Sequence, residues 1–336
     1  MTSSASSRQR RRFEAVYAEE RSFDWPLTRQ VLLRLDGCPV VVIRHYKDVF
    51  NRSNQDPRWQ KRHPSLILAV KDEPLLYPGP RLCQDFGADA FFYANLAIGC
   101  PFDCAYCYLQ GMYPSAHMLA FVNTPDFIQA MALAAADKPC AVAVSHDTDL
   151  MALRQVIPYP ELLSDGLSGL PLQAEIRTKS ADRRFFLQND PTPELVFAFS
   201  LAPERVIRLL EPGTPPLDAR LEAVRTAQSR GFAVRLCFDP VFAGHDEADY
   251  AAFYRRVFGV VDPSRVRDAG FGFFRMPESF YRRAGRWRPE LTDLNVGPDK
   301  VSGTVTYPQD LRQECQTRHL AMLGQYLDRS QIDTQD

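Results

Sequence analysis

Three cysteines on one short loop are the residues of this sequence best suited to chemistry. Cys100, Cys104 and Cys107 follow the spacing C-x3-C-x2-C, with an aromatic residue directly before the third cysteine. Three thiolates this close can ligate three corners of a [4Fe–4S] cluster, whereas a ferredoxin cluster that only carries electrons uses four cysteines. The fourth iron would then lack a protein ligand and be open to a substrate. The spacing therefore predicts a reaction centre more than an electron-transfer site.

Other interpretations of the loop need partners that the loop does not supply. A structural zinc site needs four tetrahedral ligands, so Cys83 or His117 would have to complete it from outside. A disulfide would leave one of the three cysteines unpaired. Free cysteines are also common in protein cores, but this loop is polar and begins Gly-Cys-Pro. The cluster is therefore the preferred prediction, and zinc is the second.

Length and composition indicate a globular protein with one large domain or two smaller ones. The chain has 336 residues, of which 45% are hydrophobic and 24% are charged, and its net charge is −1. A nucleic-acid site would therefore have to be a local basic patch. Eight cysteines without a signal-like start predict a reducing compartment and a cytoplasmic location. The apolar runs are too short to cross a bilayer, so we expect no membrane association.

Segments typical of strands and helices alternate along the middle of the chain, which predicts a parallel sheet. Short polar loops follow the strands, as in a barrel with its site at the carboxyl ends of the strands. The pattern alone does not separate a barrel from an open, doubly wound sheet. The predicted elements are strands at 39–44, 65–70, 90–97, 140–144, 172–178, 194–201, 233–238 and 270–275, and helices at 124–137, 216–230 and 247–257.

The cysteine loop resembles the motif of the radical S-adenosylmethionine (radical SAM) enzymes. In that superfamily the open iron binds S-adenosylmethionine, and one electron from the cluster cleaves it to a 5′-deoxyadenosyl radical. The resemblance implies an α/β fold with a partial (β/α)6 barrel, which we place at 86–290. We expect a disordered, Ser-rich and basic tail at 1–25, an N-terminal α/β extension at 26–85 and a C-terminal extension at 291–336.

A second motif narrows the resemblance to the spore photoproduct lyase family. The run E-P-G-T-P-P-L-D-A-R at 211–220 is similar to the E-P-G-T-S-P-L-D-x-R segment of that family, and C-Y-L-Q at 107–110 extends the cysteine motif as the family does. Short matches at 177–179 and 199–200 fall in the same order, and the similarity spans residues 38–310. The resemblance implies a carbon–carbon lyase that repairs a thymine dimer, 5-thyminyl-5,6-dihydrothymine, in DNA.

The same resemblance implies roles for individual residues. The three loop cysteines would ligate the cluster, and Tyr106 stands where the family's loop backbone approaches the adenine. Lys179 and Ser200 match polar residues near the bound S-adenosylmethionine, and a Lys ammonium suits a carboxylate. A solvated strand end would explain Lys179 as well, and a bond to local backbone would explain the Ser200 hydroxyl.

This chain departs from the family at the residue that returns a hydrogen atom to the product. The family has a cysteine in an A-A-C-T-S-D-like segment, where this chain has A-V-S-H-D-T-D at 143–149. His146, or Ser145 with a one-residue shift, takes its place, and an O–H or N–H bond is much stronger than S–H. The alternative donors are Cys237, near the end of a later strand, and the loop tyrosines Tyr106 and Tyr108. Burial in a strand would also explain Cys237, and loop packing would explain the tyrosines.

Two kinds of partner follow from these predictions. The cluster needs an electron donor such as flavodoxin or ferredoxin. The arginines and aromatics at 273–288 have the composition of a surface that tracks phosphates and stacks on bases, so DNA would bind through this local patch. An amphipathic helix with a solvated basic face explains the same stretch. The alternatives to DNA repair are a radical SAM enzyme with a non-DNA substrate and a non-enzymatic zinc- or cluster-containing protein that binds nucleic acid.

Overall fold

Three β-sheets organise the chain in the computed structural model, which describes residues 13–79, 87–243 and 247–335. Sixteen strands are assigned within these ranges: β1 Val16–Glu19, β2 Val40–Ile43, β3 Leu66–Ala69, β4 Tyr77–Pro78, β5 Ala90–Tyr93, β6 Ala97–Ile98, β7 Met118–Phe121, β8 Cys140–Ala143, β9 Leu172–Thr178, β10 Leu195–Ser200, β11 Ala233–Val241, β12 Val266–Phe273, β13 Arg275–Pro277, β14 Gly297–Asp299, β15 Thr304–Thr306 and β16 Ile332–Gln335. Thirteen α-helices are assigned in the same ranges: α1 Pro26–Arg34, α2 Lys47–Phe50, α3 Pro57–Arg62, α4 Leu109–Met112, α5 Thr124–Asp137, α6 Leu150–Leu153, α7 Tyr159–Leu167, α8 Arg184–Gln188, α9 Glu204–Leu210, α10 Leu217–Ser229, α11 Glu247–Phe258, α12 Glu278–Ala284 and α13 Gln309–Leu323.

The largest sheet has eight strands, six of which form a parallel partial barrel. Its spatial order is β16-β12-β11-β10-β9-β8-β5-β4, so strands β5 and β8 to β12 lie side by side in the order of the chain. Helices α5, α7, α8, α10 and α11 precede β8, β9, β10, β11 and β12 respectively. A doubly wound sheet would reverse its strand order at a switch point. The observed order therefore confirms the predicted (β/α)6 half-barrel, which the sequence pattern alone did not separate from the open sheet.

A second, five-stranded sheet joins the N-terminal segment to the cysteine loop. Its order is β2-β1-β3-β7-β6, and β6 and β7 are the strands on either side of that loop. The buried Glu19 at the end of β1 accepts hydrogen bonds from the backbone N–H groups of Tyr46 (2.6 Å) and Val70 (3.1 Å). The carboxylate thereby ties the segments that follow β2 and β3 to β1.

The N-terminal boundary differs from the expectation of a disordered tail through residue 25. Strand β1 lies between β2 and β3 in the five-stranded sheet, with Val16 and Ala18 fully buried, and Pro26 begins α1. The sequence signal missed this strand because it is four residues long and follows a polar, basic run. Residues 1–12 of the predicted tail lie outside the described residues. The division into extensions and barrel remains a prediction, since β16 also joins the barrel sheet.

Most predicted elements are present in the structure. Helix α5 and strand β9 have the predicted bounds. Strand β8 and helix α11 differ from prediction by one residue at one end, and β10 and α10 by one residue at each end. The apolar run at 90–97 divides into β5 and β6, which belong to different sheets. Within the described residues, the helices are too short or too polar to cross a membrane.

Successive residues of a strand point to opposite faces of the sheet. The two faces of the barrel sheet carry side chains of different polarity. On the outer face, Phe197 of β10 packs its ring against Phe185, Phe186 and Phe232 beneath the helices. On the inner face, Arg235 of β11 binds the carboxylates of Glu175 and Asp268. The barrel interior is thus lined in part by paired charges.

Candidate active site at the cysteine loop and the strand ends

The cysteine loop begins at a position that only glycine can occupy without strain. Gly99 has φ of +90°, and a Cβ there would lie 2.8 Å from the carbonyl oxygen of His117. The N–H of Gly99 donates to the carbonyl of Asp147, at 2.9 Å. The chain therefore turns sharply from β6 into the loop beside the segment that follows β8.

A lysine of the N-terminal segment holds the outer side of the loop. The ammonium of Lys61, on α3, donates to the carbonyl oxygens of Cys100 (2.7 Å) and Phe102 (2.6 Å). These bonds satisfy two loop carbonyls and place a positive charge beside the cysteines. The sequence prediction missed Lys61, because it lies 39 residues before Cys100 and in no recognised motif.

The other side of the loop is bonded to the segment that contains the second motif. The N–H of Asp103 donates to the carbonyl of Pro212 (3.1 Å), and the N–H of Ala105 donates to that of Leu210 (2.8 Å). The two motifs that the sequence separates by more than 100 residues are therefore neighbours. The two motifs therefore form parts of one site.

All three cysteines line a single pocket, together with Lys61 and Trp287. Burial raises the pKa of each thiol, to about 12 for Cys100, so the free thiols hold their protons at neutral pH. Metal binding would displace these protons. This set of sulfur donors around one pocket fits a [4Fe–4S] cluster.

The arrangement of the cysteines also bears on the zinc alternative. Among the described residues, His, Cys, Asp and Glu side chains do not converge in groups of three or more on a position for a single ion. A zinc site requires such convergence, since all four ligands bind one metal. A cluster takes each thiolate on a different iron. Cys83, which the zinc interpretation used, lies outside the described residues.

A group of four side chains, which we call the Glu211 cluster, lies directly behind the loop. Its members are Tyr106, Lys179, Glu211 and Arg220. The Tyr106 hydroxyl donates to Oε1 of Glu211, the Arg220 guanidinium donates to Oε2, and the Lys179 ammonium lies 3.8 Å from Oε1. The ammonium also lies 5.6 Å from the centroid of the Tyr106 ring. The structure thus brings Lys179 and Tyr106 together beside the cysteine loop.

The protonation states in this cluster follow from burial and charge. Burial opposes ionisation of Glu211, but Lys179 and Arg220 outweigh it and lower the pKa of the carboxyl group. Burial likewise favours the neutral amine of Lys179. The charge of Glu211 outweighs this effect of burial, and the pKa of Lys179 is raised. Burial, together with the neighbouring carboxylate, raises the pKa of Tyr106 well above its usual range. The cluster is therefore a carboxylate with two cations and a neutral phenol.

The Arg220 side chain forms hydrogen bonds with several other residues of the second motif. Its guanidinium donates to the carbonyls of Pro215 (2.9 Å) and Ser200 (3.1 Å) and to Oγ1 of Thr214 (2.6 Å), as well as to Glu211. The Glu, Thr and Pro residues of the run at 211–220 therefore surround the buried Arg220 of the same run. Ser200, at the end of β10, is buried, and its carbonyl is held by this cation.

A second group, which we call the Asp147 cluster, lies at the carboxyl end of β8. Its members are Tyr108, Tyr113, His146 and Asp147. The Tyr113 hydroxyl donates to Oδ2 of Asp147 at 2.5 Å, and Nδ1 of His146 lies 3.0 Å from Oδ1. The Tyr108 hydroxyl lies 2.6 Å from the His146 carbonyl and 3.2 Å from its Nδ1. Burial, reinforced by Asp147, raises the pKa of Tyr108 well above its usual range.

The other two predicted donors lie on the inner side of the barrel. Ser145 is buried, and its Oγ accepts a hydrogen bond from the N–H of Arg177 at 2.6 Å. Cys237 is fully buried in β11, in register with Ser200 of β10, and burial raises its pKa to about 11. Cys237 shares the inner face with Arg235, two residues before it. The structure thus places this thiol level with a predicted cofactor residue.

The predicted basic stretch is divided between two different surroundings. Arg288 is buried, and its guanidinium donates to the Asp103 carboxylate and the Gln110 amide oxygen of the loop region. It therefore supports the cysteine loop, which the sequence prediction missed. Arg282, Arg283 and Arg286 are exposed on or just after α12, so three cations of the predicted patch face solvent.

Comparisons with known proteins agree with this site. The sequence model of the spore photoproduct lyase family matches residues 83–276. A spore photoproduct lyase from Bacillus subtilis (strain 168) is 24% identical over 278 residues, which cover 76% of this chain and 74% of that relative.

Solved structures of spore photoproduct lyases share the fold. One, complexed with dinucleoside spore photoproduct, superposes with a TM-score of 0.81 at 18% identity and covers 96% of this chain and 98% of that chain. Another, a mutant with bound AdoMet (S-adenosylmethionine) and dinucleoside spore photoproduct, has a TM-score of 0.79 at 18% identity and the same coverage.

The half-barrel and its three-cysteine loop at the strand ends define a radical SAM enzyme. Because the family model spans more than half of the chain, this class can be stated more narrowly. The chain belongs to the spore photoproduct lyase family, whose members are radical SAM lyases.

Proposed function

We propose that this enzyme uses a [4Fe–4S] cluster and S-adenosylmethionine to cleave the carbon–carbon bond of 5-thyminyl-5,6-dihydrothymine in DNA. The observation that carries the proposal is the pocket lined by Cys100, Cys104 and Cys107, with the Glu211 cluster directly behind it. The relatives solved with dinucleoside spore photoproduct suggest the substrate. The reaction is redox-neutral overall, because the hydrogen removed from the dimer is balanced by one returned to the product.

The residues of the chain would bind and orient, while the cofactors supply the reactive radical. When bound, the cluster and S-adenosylmethionine would supply a 5′-deoxyadenosyl radical that abstracts hydrogen from C6 of the lesion. The three cysteines would ligate three irons. The Lys179 ammonium would attract the carboxylate of S-adenosylmethionine, Tyr106 would border its adenine, and Ser200 would contribute a polar group at the end of β10.

The residue that returns a hydrogen atom to the product radical must differ from the cysteine expected in the family. Ser145 and His146 occupy the segment where we expect the family's cysteine, and an alcohol O–H or an imidazole N–H, unlike a thiol or a phenol, is a poor source of hydrogen atoms. Tyr108 and Cys237 are the proposed alternatives. The Tyr108 phenol holds its proton within reach of His146 and Asp147, and Cys237 is a neutral thiol on the inner face of the barrel.

The enzyme would depend on two partners in the cytoplasm. An external carrier such as flavodoxin or ferredoxin would supply the electron. DNA would bind with help from the exposed Arg282, Arg283 and Arg286, whose positive charges suit phosphates. The salt dependence of DNA affinity would report these contacts.

One experiment separates this function from its alternatives. The protein is purified and reconstituted anaerobically, its iron, sulfide and zinc are measured, and it is incubated with dithionite, S-adenosylmethionine and dinucleoside spore photoproduct. The proposal expects about four iron and four sulfide per chain, 5′-deoxyadenosine and repaired dinucleoside. Formation of 5′-deoxyadenosine without repair of the dinucleoside would instead indicate a non-DNA substrate. Colourless protein with stoichiometric zinc would indicate the non-enzymatic alternative.

A further inference from the structure

Lys61 places a positive charge against the cysteine loop without a carboxylate beside it. Its ammonium donates to the carbonyl oxygens of Cys100 and Phe102, and the half-buried residue lines the same pocket as the three loop cysteines. Within the described part of the chain, this ammonium forms no ion pair with a carboxylate. Charges held away from water are usually paired with an opposite charge. The protein residues around Lys61 therefore leave its charge unbalanced.

Other cations next to the loop have a carboxylate of their own. The Arg288 guanidinium binds Asp103, and the Arg220 guanidinium binds Glu211. Lys61 differs from both arginines because the oxygens that its ammonium contacts are uncharged. An anion bound in the pocket would complete the charges around the loop.

Hydrogen bonds on either side of Lys61 fix helix α3 relative to the cysteines. The buried side chain of Gln60 accepts from the N–H of Ala116, which precedes β7, at 2.7 Å. Arg58 donates from Nε to the carbonyl of Trp287 at 2.8 Å. Ala116 and Trp287 both line the pocket. The fold therefore holds the Lys61 ammonium at a set position beside the cysteines.

We propose that Lys61 is a positioning residue whose positive charge stabilises the cluster held by the three cysteines and favours its reduced form. This inference rests on the proposed function, because it requires the cluster. A [4Fe–4S] cluster with three thiolate ligands carries a net negative charge, and reduction adds another. A fixed cation nearby stabilises the reduced form more than the oxidised form, so it raises the reduction potential. Lys61 thereby makes the cluster easier to reduce by an external carrier.

The test compares Lys61→Gln with Lys61→Arg. The glutamine amide can donate to a carbonyl oxygen but carries no charge, whereas arginine keeps both the donors and the charge. Lys138→Gln is the matched control, because Lys138 is exposed, donates to the carbonyl of Asp89 at 3.2 Å and does not line the pocket. Each variant is reconstituted anaerobically, its iron and sulfide are measured, and its reduction potential is determined by a titration monitored by EPR.

We expect full clusters in all three variants and a changed potential in one. The equilibrium constant for reduction should be about tenfold lower in Lys61→Gln alone, a shift of about 59 mV to more negative potential for one electron. Loss of the cluster in Lys61→Gln but not in Lys61→Arg, with both variants folded by circular dichroism, would also support the role of the charge.

Two results overturn this inference alone. The first is a full cluster with an unchanged potential in Lys61→Gln. The second is loss of the cluster, or an equal fall in potential, in both Lys61 variants, because arginine keeps the charge. Wild-type protein that binds no cluster overturns the proposed function and this inference with it.

Discussion

The Glu211 cluster and the Asp147 cluster lie on two sides of the cysteine loop, and they are built differently. The Glu211 cluster balances one carboxylate with two cations, and its central pair, Glu211 and Arg220, is almost entirely buried. The Asp147 cluster sets two phenols and an imidazole around one carboxylate, and the His146 side chain is 21% exposed. Each group surrounds a carboxylate that is 1% exposed and has one partly exposed member, Lys179 at 17% and His146 at 21%. The groups differ in what binds the carboxylate, which is two cations in the first group and two phenols with an imidazole in the second.

The difference indicates a division of labour. Buried, paired charges tolerate little change, because removing one leaves the other uncompensated. Such a group suits a constant task, here the positioning of the loop and Lys179. Phenols and an imidazole can donate hydrogen bonds to a new neighbour without breaking a buried pair of opposite charges. This second group suits contact with a variable substrate, and it contains His146, which we expect to stand where the family has its hydrogen-donating cysteine.

The largest expected effect comes from removing the proposed cluster ligands, the three loop cysteines that both groups flank. Cys100→Ala, Cys104→Ala and Cys107→Ala should each abolish cluster assembly and S-adenosylmethionine cleavage, because three thiolates are the minimum for three irons. Iron content and the visible spectrum report assembly. Cys315→Ala, on α13, is the matched control and should retain its iron. A full cluster in the Cys104 variant would refute the ligand assignment.

The next largest effect should come from breaking the Glu211 cluster. Glu211→Gln leaves Arg220 buried without its counter-charge, and it should lower the free energy of unfolding by about 3–5 kcal/mol. Asp218→Asn removes an exposed pair with Arg256 and should cost about 0–1 kcal/mol. Chemical denaturation of both variants at neutral pH measures the two costs. Equal costs would show that the Glu211 cluster is not special.

The same variant has a predictable pH dependence. The pKa of Glu211 lies below its ordinary value of 4.5 in the folded protein. The carboxylate therefore stabilises the fold above about pH 4.5, and this contribution is lost as pH falls through the lower, folded pKa. The stability difference between wild type and Glu211→Gln should accordingly shrink in acid. A difference that grows below pH 4 would contradict the depressed pKa.

A smaller effect is expected where the loop is supported from the C-terminal side. Arg288→Gln removes charged hydrogen bonds to Asp103 and Gln110 and should cost about 2 kcal/mol. Arg282→Gln is the control, because Arg282 is exposed and pairs only across one helical turn with Glu278; it should cost less than about 0.5 kcal/mol. Thermal unfolding ranks the two. A larger loss in the control would mean that Arg288 does not support the loop.

The smallest expected effect lies on the side of the Asp147 cluster. His146→Cys restores a thiol at the position expected to match the family's cysteine, and Ser145→Cys does so if the alignment shifts by one residue. The variant at the matching position should raise the yield of by-product-free repair roughly threefold, about 0.7 kcal/mol in the partition of the product radical. Product analysis with dinucleoside spore photoproduct provides the measurement.

The reference for that comparison is the unmodified chain. If it already repairs cleanly, then another residue donates, and Cys237→Ala and Tyr108→Phe would identify which. If no variant repairs the lesion while S-adenosylmethionine is still cleaved, the substrate is a different one.

Local patterns were sufficient for the parts of this protein that lie close together in the chain. The cysteine spacing, the run at 211–220, helix α5 and strand β9 could all be predicted, because each is specified within a few turns or one strand. Strand β1 could not, since four residues carry little periodicity, and its burial depends on pairing with β2 and β3.

The sequence by itself determined the residue types of the site and the class of chemistry they support. The tertiary structure decided which side chains meet. Lys61 reaches Cys100 from 39 residues away, and Arg288 reaches Asp103 from 185 residues away. A basic residue in a sequence looks the same whether it faces solvent or a buried carboxylate. Its role depends on burial and on a charged partner, which distant segments supply only when the chain has folded.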